Sequence, residues 1–245
     1  MKLAPVALIT IAFILVFTSC KKGNNNKSST GLPKTFTEDV TSAGLGHLVE
    51  TVNLQYDGNG RITSLVSTTT PGTKSVYQYN SNNTFTMDLY ESNQLTIHEI
   101  FWIGGNSFVD STFQYDNTND TSTEKYTYNS GNQLIQLRAF DFSTTSGSTL
   151  YSTDNYSYDN NGNLSTDVGD FTTTSYDYFP NLSNSLNVGE IYFVKTKNLV
   201  NTMTQISGGV TSTITHAYTF DGSNRLTVDS AAASDGGIDI KRYSY

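Results

Sequence analysis

Tyr56-Asp57-Gly58-Asn59-Gly60-Arg61-Ile62 spells out a chain reversal. The side-chain oxygen of an Asp or Asn at the second position can accept the backbone N–H two residues on. A Gly or Asn at the fifth position can take φ > 0, so the chain turns back within three to five residues. The aromatic before the turn closes one strand, and the aliphatic after it opens the next on the same face. The phrase recurs as Tyr128-Asn129-Ser130-Gly131-Asn132-Gln133-Leu134 and as Tyr158-Asp159-Asn160-Asn161-Gly162-Asn163-Leu164. Phe220-Asp221-Gly222-Ser223-Asn224-Arg225-Leu226 and Tyr79-Asn80-Ser81-Asn82-Asn83-Thr84-Phe85 are looser copies, and Tyr90-Glu91-Ser92-Asn93-Gln94-Leu95 is one residue shorter. The pattern rests on Tyr56, Asp57, Gly60, Tyr128, Gly131, Tyr158, Asp159, Gly162, Phe220 and Asp221.

Between the turns the period is two. Aromatics stand at i and i+2 in Tyr77/Tyr79, Phe113/Tyr115, Tyr126/Tyr128, Tyr156/Tyr158, Tyr176/Tyr178, Tyr218/Phe220 and Tyr243/Tyr245. Such pairs share one face of a strand but not of a helix. The fold class is therefore all-β with almost no helix: a long antiparallel meander of about 16 strands between residues 47 and 245, including short ones at 189–194 and 225–229. A single open sheet of that many strands is unusual, so it must twist strongly, roll up or close. Thr-rich runs such as Thr172 to Ser175 and Thr211 to Thr215 supply the wet face, and the aromatic rows the dry one. The repeat falters from Asp177 to Asn201. Pro180 there has no N–H for a ladder, which predicts a loop capping one end of the rolled sheet.

Composition agrees. Charged residues make up 15% of the chain, well under the usual ~25%, while 16 Tyr and 13 Phe carry the apolar load. The net charge of −8 excludes a nucleic-acid partner, since binding there requires neutralising phosphates with Lys and Arg.

At the N-terminus, Lys2 precedes an apolar run from Leu3 to Phe17, too short for a stable span and placed as an export signal. Phe17-Thr18-Ser19-Cys20 resembles a bacterial lipobox, which implies that Cys20 is acylated and becomes the first mature residue. Cys20 is the chain's one cysteine and has no disulfide partner for an oxidising compartment. Lys21 to Gly31 is polar, with nothing to bury, and reads as a flexible tether. The expected organisation is a signal peptide over 1–19, an Asn/Ser/Lys tether over 20–34 and one meander domain over 35–245.

The turns also carry a family resemblance. Tyr-Asp-x-x-Gly-x-Leu with a second Tyr two residues upstream resembles the YD repeat of RHS-type proteins. Together with the lipobox, the Asn-rich tether and the closing Lys241-Arg242-Tyr243-Ser244-Tyr245, it is similar to a group of Bacteroidota lipoproteins of unknown function with RHS-like repeats. The large RHS proteins form shells around a cargo. This chain has too few repeats for that, and the resemblance brings no catalytic residues.

The search for chemistry is short. His47, His98 and His216 are scattered, with no metal-binding spacing between them. Asp116-Asn117-Thr118-Asn119-Asp120 has oxygens at alternate positions, but it lacks the Gly and the final Glu of a calcium loop and reads as an Asx turn. Asp88, Glu99 and Asp110 are candidate carboxylates should two of them meet across strands, as glycoside hydrolysis requires. Trp102 and Phe101, in the run Ile100-Phe101-Trp102-Ile103, are either core or an aromatic ligand platform.

No cofactor or metal is implied. The expected protein is a lipid-anchored cell-envelope module that binds or scaffolds without catalysis; the alternative is a carbohydrate-active or peptide-processing envelope enzyme. Its expected partners are membrane lipid through Cys20 and then glycan, peptidoglycan or an envelope protein, with the chain itself a monomer. The periplasmic side of the outer membrane is favoured, because Lys21-Lys22-Gly23 lacks the acidic residues that similar lipoproteins carry for surface export.

Overall fold

Four of the turns share one hydrogen-bond scheme, and that scheme sets the architecture. In the computed structural model, which describes residues 32–42, 46–117, 120–143, 147–184 and 196–245, Oδ1 of Asp57, Asn129, Asp159 and Asp221 accepts two backbone N–H groups each. These come from residues i+2 and i+4, at 2.8–3.0 Å. The residue at i+3 is left-handed: Gly60 at φ 76°, Asn132 at 60°, Gly162 at 83° and Asn224 at 59°. In the second copy the reversal therefore falls on Asn132 and not on Gly131, because Asn tolerates this region almost as Gly does. The aromatic and aliphatic flanks pair as Tyr56 with Ile62, Tyr128 with Leu134, Tyr158 with Leu164 and Phe220 with Leu226, each just past a register shift. Such bulges increase local twist.

Sixteen strands result among the described residues. They are β1 (Thr35–Ser42), β2 (Gly46–Tyr56), β3 (Ile62–Ser67), β4 (Lys74–Tyr79), β5 (Thr84–Glu91) and β6 (Gln94–Ile103). Then come β7 (Val109–Asp116), β8 (Thr121–Tyr128), β9 (Leu134–Ser143), β10 (Gly147–Tyr158) and β11 (Leu164–Val168). The last are β12 (Thr172–Ser183), β13 (Asn198–Ser207), β14 (Val210–Phe220), β15 (Leu226–Ala233) and β16 (Ile238–Ser244). Each pairs antiparallel with its sequence neighbours, and β1 pairs with both β2 and β16, so the sheet closes into a barrel.

Closure depends on a strand the alternation does not announce. β1 reads TFTEDVTS, and its apolar residues, Phe36 and Val40, are too sparse to mark it. The short strand expected at 189–194 lies outside the described residues. Around Pro180 the expected loop is a strand instead: β12 runs on to Ser183, with its register to β13 jumping between Tyr178 and Ser183. Asn198 Nδ2 donates to the carbonyls of Pro180 and Leu182, each at 3.3 Å, and so holds the bulged stretch without a ladder bond from proline.

In a closed sheet the more buried face is the inside. That face carries the core along β1 to β7, where Phe36, Val52, Leu65, Phe85 and Phe101 are at most 5% exposed and the rings of Phe85 and Phe101 stack at 4.2 Å. Of the aromatic pairs, Tyr77, Tyr126, Tyr156, Tyr176, Tyr218 and Tyr243 lie on inner rows by register. Phe113 does not: it pairs with Ile100 and Thr123 on the outer face.

Candidate functional site

The inner rows bring together charges that are far apart in the sequence. Tyr218, Asp229, Lys241, Glu38 and Glu50 are successive partners across β14, β15, β16, β1 and β2. Lys241 Nζ lies 3.2 Å from Glu38 Oε1 and 3.3 Å from Asp239 Oδ2. His216 Nδ1 is 3.0 Å from Asp229 Oδ1. Glu50 Oε2 accepts from the hydroxyls of Thr70, at 3.2 Å, and Thr69.

The far side of the barrel is acidic as well. Glu99, Glu124, Asp154 and Asp167 share strand parity with buried neighbours, and Tyr126 donates its hydroxyl to Glu124. Lysines and arginines within the described strands are Lys74, Lys125, Arg138, Lys241 and Arg242; the register puts Lys241 inside and the others outside. The interior is thus strongly anionic, with a row of tyrosines interleaved. Buried oxygens Oε1 of Glu50, Oδ1 of Asp167 and Oδ1 of Asp239 accept no hydrogen bond among the described residues. Of the inner acids sequence reasoning singled out Glu99 alone, although the signal of the others was present. Glu124 stands two residues before Tyr126, Asp154 before Tyr156 and Asp239 two before Lys241, all in phase with the aromatic pairs.

The shorter copy at Tyr90 joins β5 to β6 at one mouth of the barrel, whereas the four turns with the shared hydrogen-bond scheme each join an even-numbered strand to the next and so gather at the other. There the hydroxyls of Tyr56, Tyr128, Tyr158 and Tyr245 donate to the carbonyls of Pro33, Val109, Leu134 and Leu226 at 2.8–2.9 Å, tying each turn to an adjoining segment. Arg61 binds Asp57 through Nε at 2.6 Å and lies 4.1 Å over the Tyr79 ring; Arg225 repeats this with Asp221 and Tyr245. Burial disfavours the charge on Asp57 and Asp159, but the bonds from Arg61 and Asn59, and from Asn163 and Asn161, outweigh it and hold both below the usual Asp range. The backbone N–H and side chain of Arg225 lower Asp221 likewise. A cleft of about 690 Å³ opens at this mouth between Asp159, Asn163, Tyr176, Tyr178, Lys197 and Asn198.

The other expected site residues fall apart. Phe101 is inside against Phe85, whereas Trp102 is on the outer face and 40% exposed, so the two do not form one platform. Asp88 is outside, bonded to His98 Nδ1, while Glu99 is inside, and no carboxylate pair spans the sheet between them. Asp116 Oδ1 accepts the Asp120 N–H at 3.0 Å, a bond between residues four apart. No group of three metal-ligating side chains gathers among the described residues. Cys20 lies outside them.

This closed barrel has counterparts among solved structures. The fold is that of porin-like proteins. A porin-like protein from Bacteroides uniformis is similar with a TM-score of 0.63 at 12% identity, covering 86% of this chain and 97% of that one. Another, from Bacteroides vulgatus, gives 0.62 at 14% identity over 88% and 98%. No family model and no curated protein matches the chain.

These likenesses correct the RHS-like reading, because the YD phrase is turn chemistry that any meander can use and here it builds a porin-like barrel. They also overturn the expected lipid-anchored binding or scaffolding module on the periplasmic side. The partners expected with it, membrane lipid through Cys20 and then glycan or peptidoglycan, fall for the same reason: a sheet closed on itself presents an interior, where an open sheet presents a docking face.

Proposed function

We propose that this chain is a porin-like barrel of the outer membrane that passes small cationic solutes. The fold's likeness to porin-like proteins supports the channel class. One observation carries the solute class: the inner rows hold Glu38, Glu50, Glu99, Glu124, Asp154 and Asp167 with Lys241 as the one lysine or arginine among the described strands, while Lys74, Lys125, Arg138 and Arg242 face out beside the acids Asp39 and Asp88. A lumen lined by one sign of charge raises the local concentration of the opposite ion and speeds its entry.

The test is conductance in a planar bilayer under a salt gradient. The reversal potential takes the sign of cation preference, and Asp154→Asn with Asp167→Asn moves it towards zero. Anion preference, or no conductance, overturns the proposal.

A further inference from the structure

The inner face is made of two different materials. On β2 to β7 the inner side chains Val52, Leu65, Tyr77, Met87, Phe101 and Thr112, one from each strand in turn, are at most 5% exposed. The apolar core there also takes in Phe36 of β1, and it ends against two partly buried tyrosines, Tyr243 of β16 and Tyr126 of β8. Side chains shut off from water do not wall an aqueous route, because an ion entering among them sheds its hydration with nothing to replace it. The β1 to β7 side of the barrel is therefore filled by its own side chains.

The opposite arc is polar. Tyr156, Asp167, Thr174, Gln205 and Ser212 are successive partners across β10 to β14, and Ser152 and Asp154 precede Tyr156 on the same face of β10. Apart from Thr174, each is partly or fully open to solvent. Tyr156 stands two residues before the end of β10 at one mouth, and Ser212 two residues after the start of β14 at the other. The row therefore leads from near one mouth towards the other. Its hydroxyls, amide and carboxylates are oxygens that can stand in for the water a cation sheds. The cleft at the mouth with the four turns opens over the same arc, between Asp159 after β10, Tyr176 and Tyr178 of β12 and Asn198 of β13.

We infer that the solute route is eccentric. It follows the β10 to β14 wall, lined by Ser152, Asp154, Tyr156, Asp167, Gln205 and Ser212, while the β1 to β7 side is a dry core that solutes do not enter. Asp154 and Asp167 are the carboxylates that a passing cation meets on this wall. The route rests on the proposed channel and names the side of the lumen that carries it.

Four cysteines of nearly unchanged size test it, each in the full chain with the one native cysteine removed as Cys20→Ser. Ser152→Cys and Ser212→Cys stand on the route. Ser75→Cys and Thr112→Cys stand in the dry core, at positions 1% and 2% exposed. The probe is a methanethiosulfonate carrying a trimethylammonium group, which reaches thiols through water; intact mass reads labelling and a planar bilayer reads conductance. Labelling of Ser152→Cys and Ser212→Cys in the folded barrel, with loss of conductance and a reversal potential moved towards zero, supports the route, provided that Ser75→Cys and Thr112→Cys are labelled only after denaturation. Equal labelling of all four overturns the dry core. A conducting barrel whose Ser152→Cys and Ser212→Cys forms stay unlabelled, or conduct unchanged once labelled, overturns the route while the channel stands. A barrel that does not conduct before any labelling removes the channel and the route together.

Discussion

Glu38 Oε1 and Lys241 Nζ meet at 3.2 Å across the seam where the first strand joins the last. Glu38 is only 8% exposed, so the pair stands where water screens little. Breaking a buried pair from one side leaves a charge uncompensated, at a cost of about 3–5 kcal/mol. Lys241→Met is expected at the high end, because Glu38, Asp239 and Glu50 then face one another. Glu38→Ala is expected at the low end, because Asp239 stays 3.3 Å from Lys241. Replacing both, as Glu38→Leu with Lys241→Met, should recover most of the loss in denaturant melts.

The seam also predicts what truncation does. Deleting residues 35–42 removes the strand that satisfies both β2 and β16, leaving two unpaired edges of the kind that template aggregation. The expected product elutes as large species on size exclusion; a monomer with an unchanged melting transition would show that closure contributes nothing to stability.

Turn geometry separates two glycines that the sequence places in the same loop. Gly60 is left-handed at φ 76°, whereas a Cβ at Gly58 meets open space. Gly60→Val should cost about 1–3 kcal/mol and Gly58→Ala stay within about 0.5 kcal/mol. Asn132→Val should behave as Gly60→Val does, since Asn132 holds the equivalent position. Chemical denaturation of the three variants checks this.

Acid should act through the same turns. Asp57, Asp159 and Asp221 have folded pKa values below their unfolded ones. Their contribution to stability is therefore fully present above the ordinary Asp value of about 3.9 and is lost as pH falls below it through the depressed values. The turn at Asn129 makes the same two backbone bonds without a charge. Asp57→Asn, Asp159→Asn and Asp221→Asn together should therefore leave a folded barrel whose melting midpoint falls less steeply on acidification. An unchanged acid slope would assign that slope to other carboxylates.

How much of this was legible in the sequence follows from the range of each interaction. Tyr56 to Ile62 reverses the chain by bonds spanning four residues, and Tyr156/Tyr158 share a face because strand parity is two. Local chemistry of this kind decided the turns and the all-β class. The acidic interior was also written in phase with the aromatics, at Glu124 and Asp154, but parity assigns a face without saying that the face encloses a space.

Closure and sidedness belong to the tertiary structure. β1 becomes a strand because β2 and β16, brought round by twist summed over the whole sheet, offer it two ladders. Phe36 meets Tyr243 there from opposite ends of the chain. Phe113 and Tyr115 look like every other aromatic pair, yet their register to Ile100 and His98 turns them outward. No local rule distinguishes them, because which face is inside is a property of the closed sheet and not of any hairpin in it.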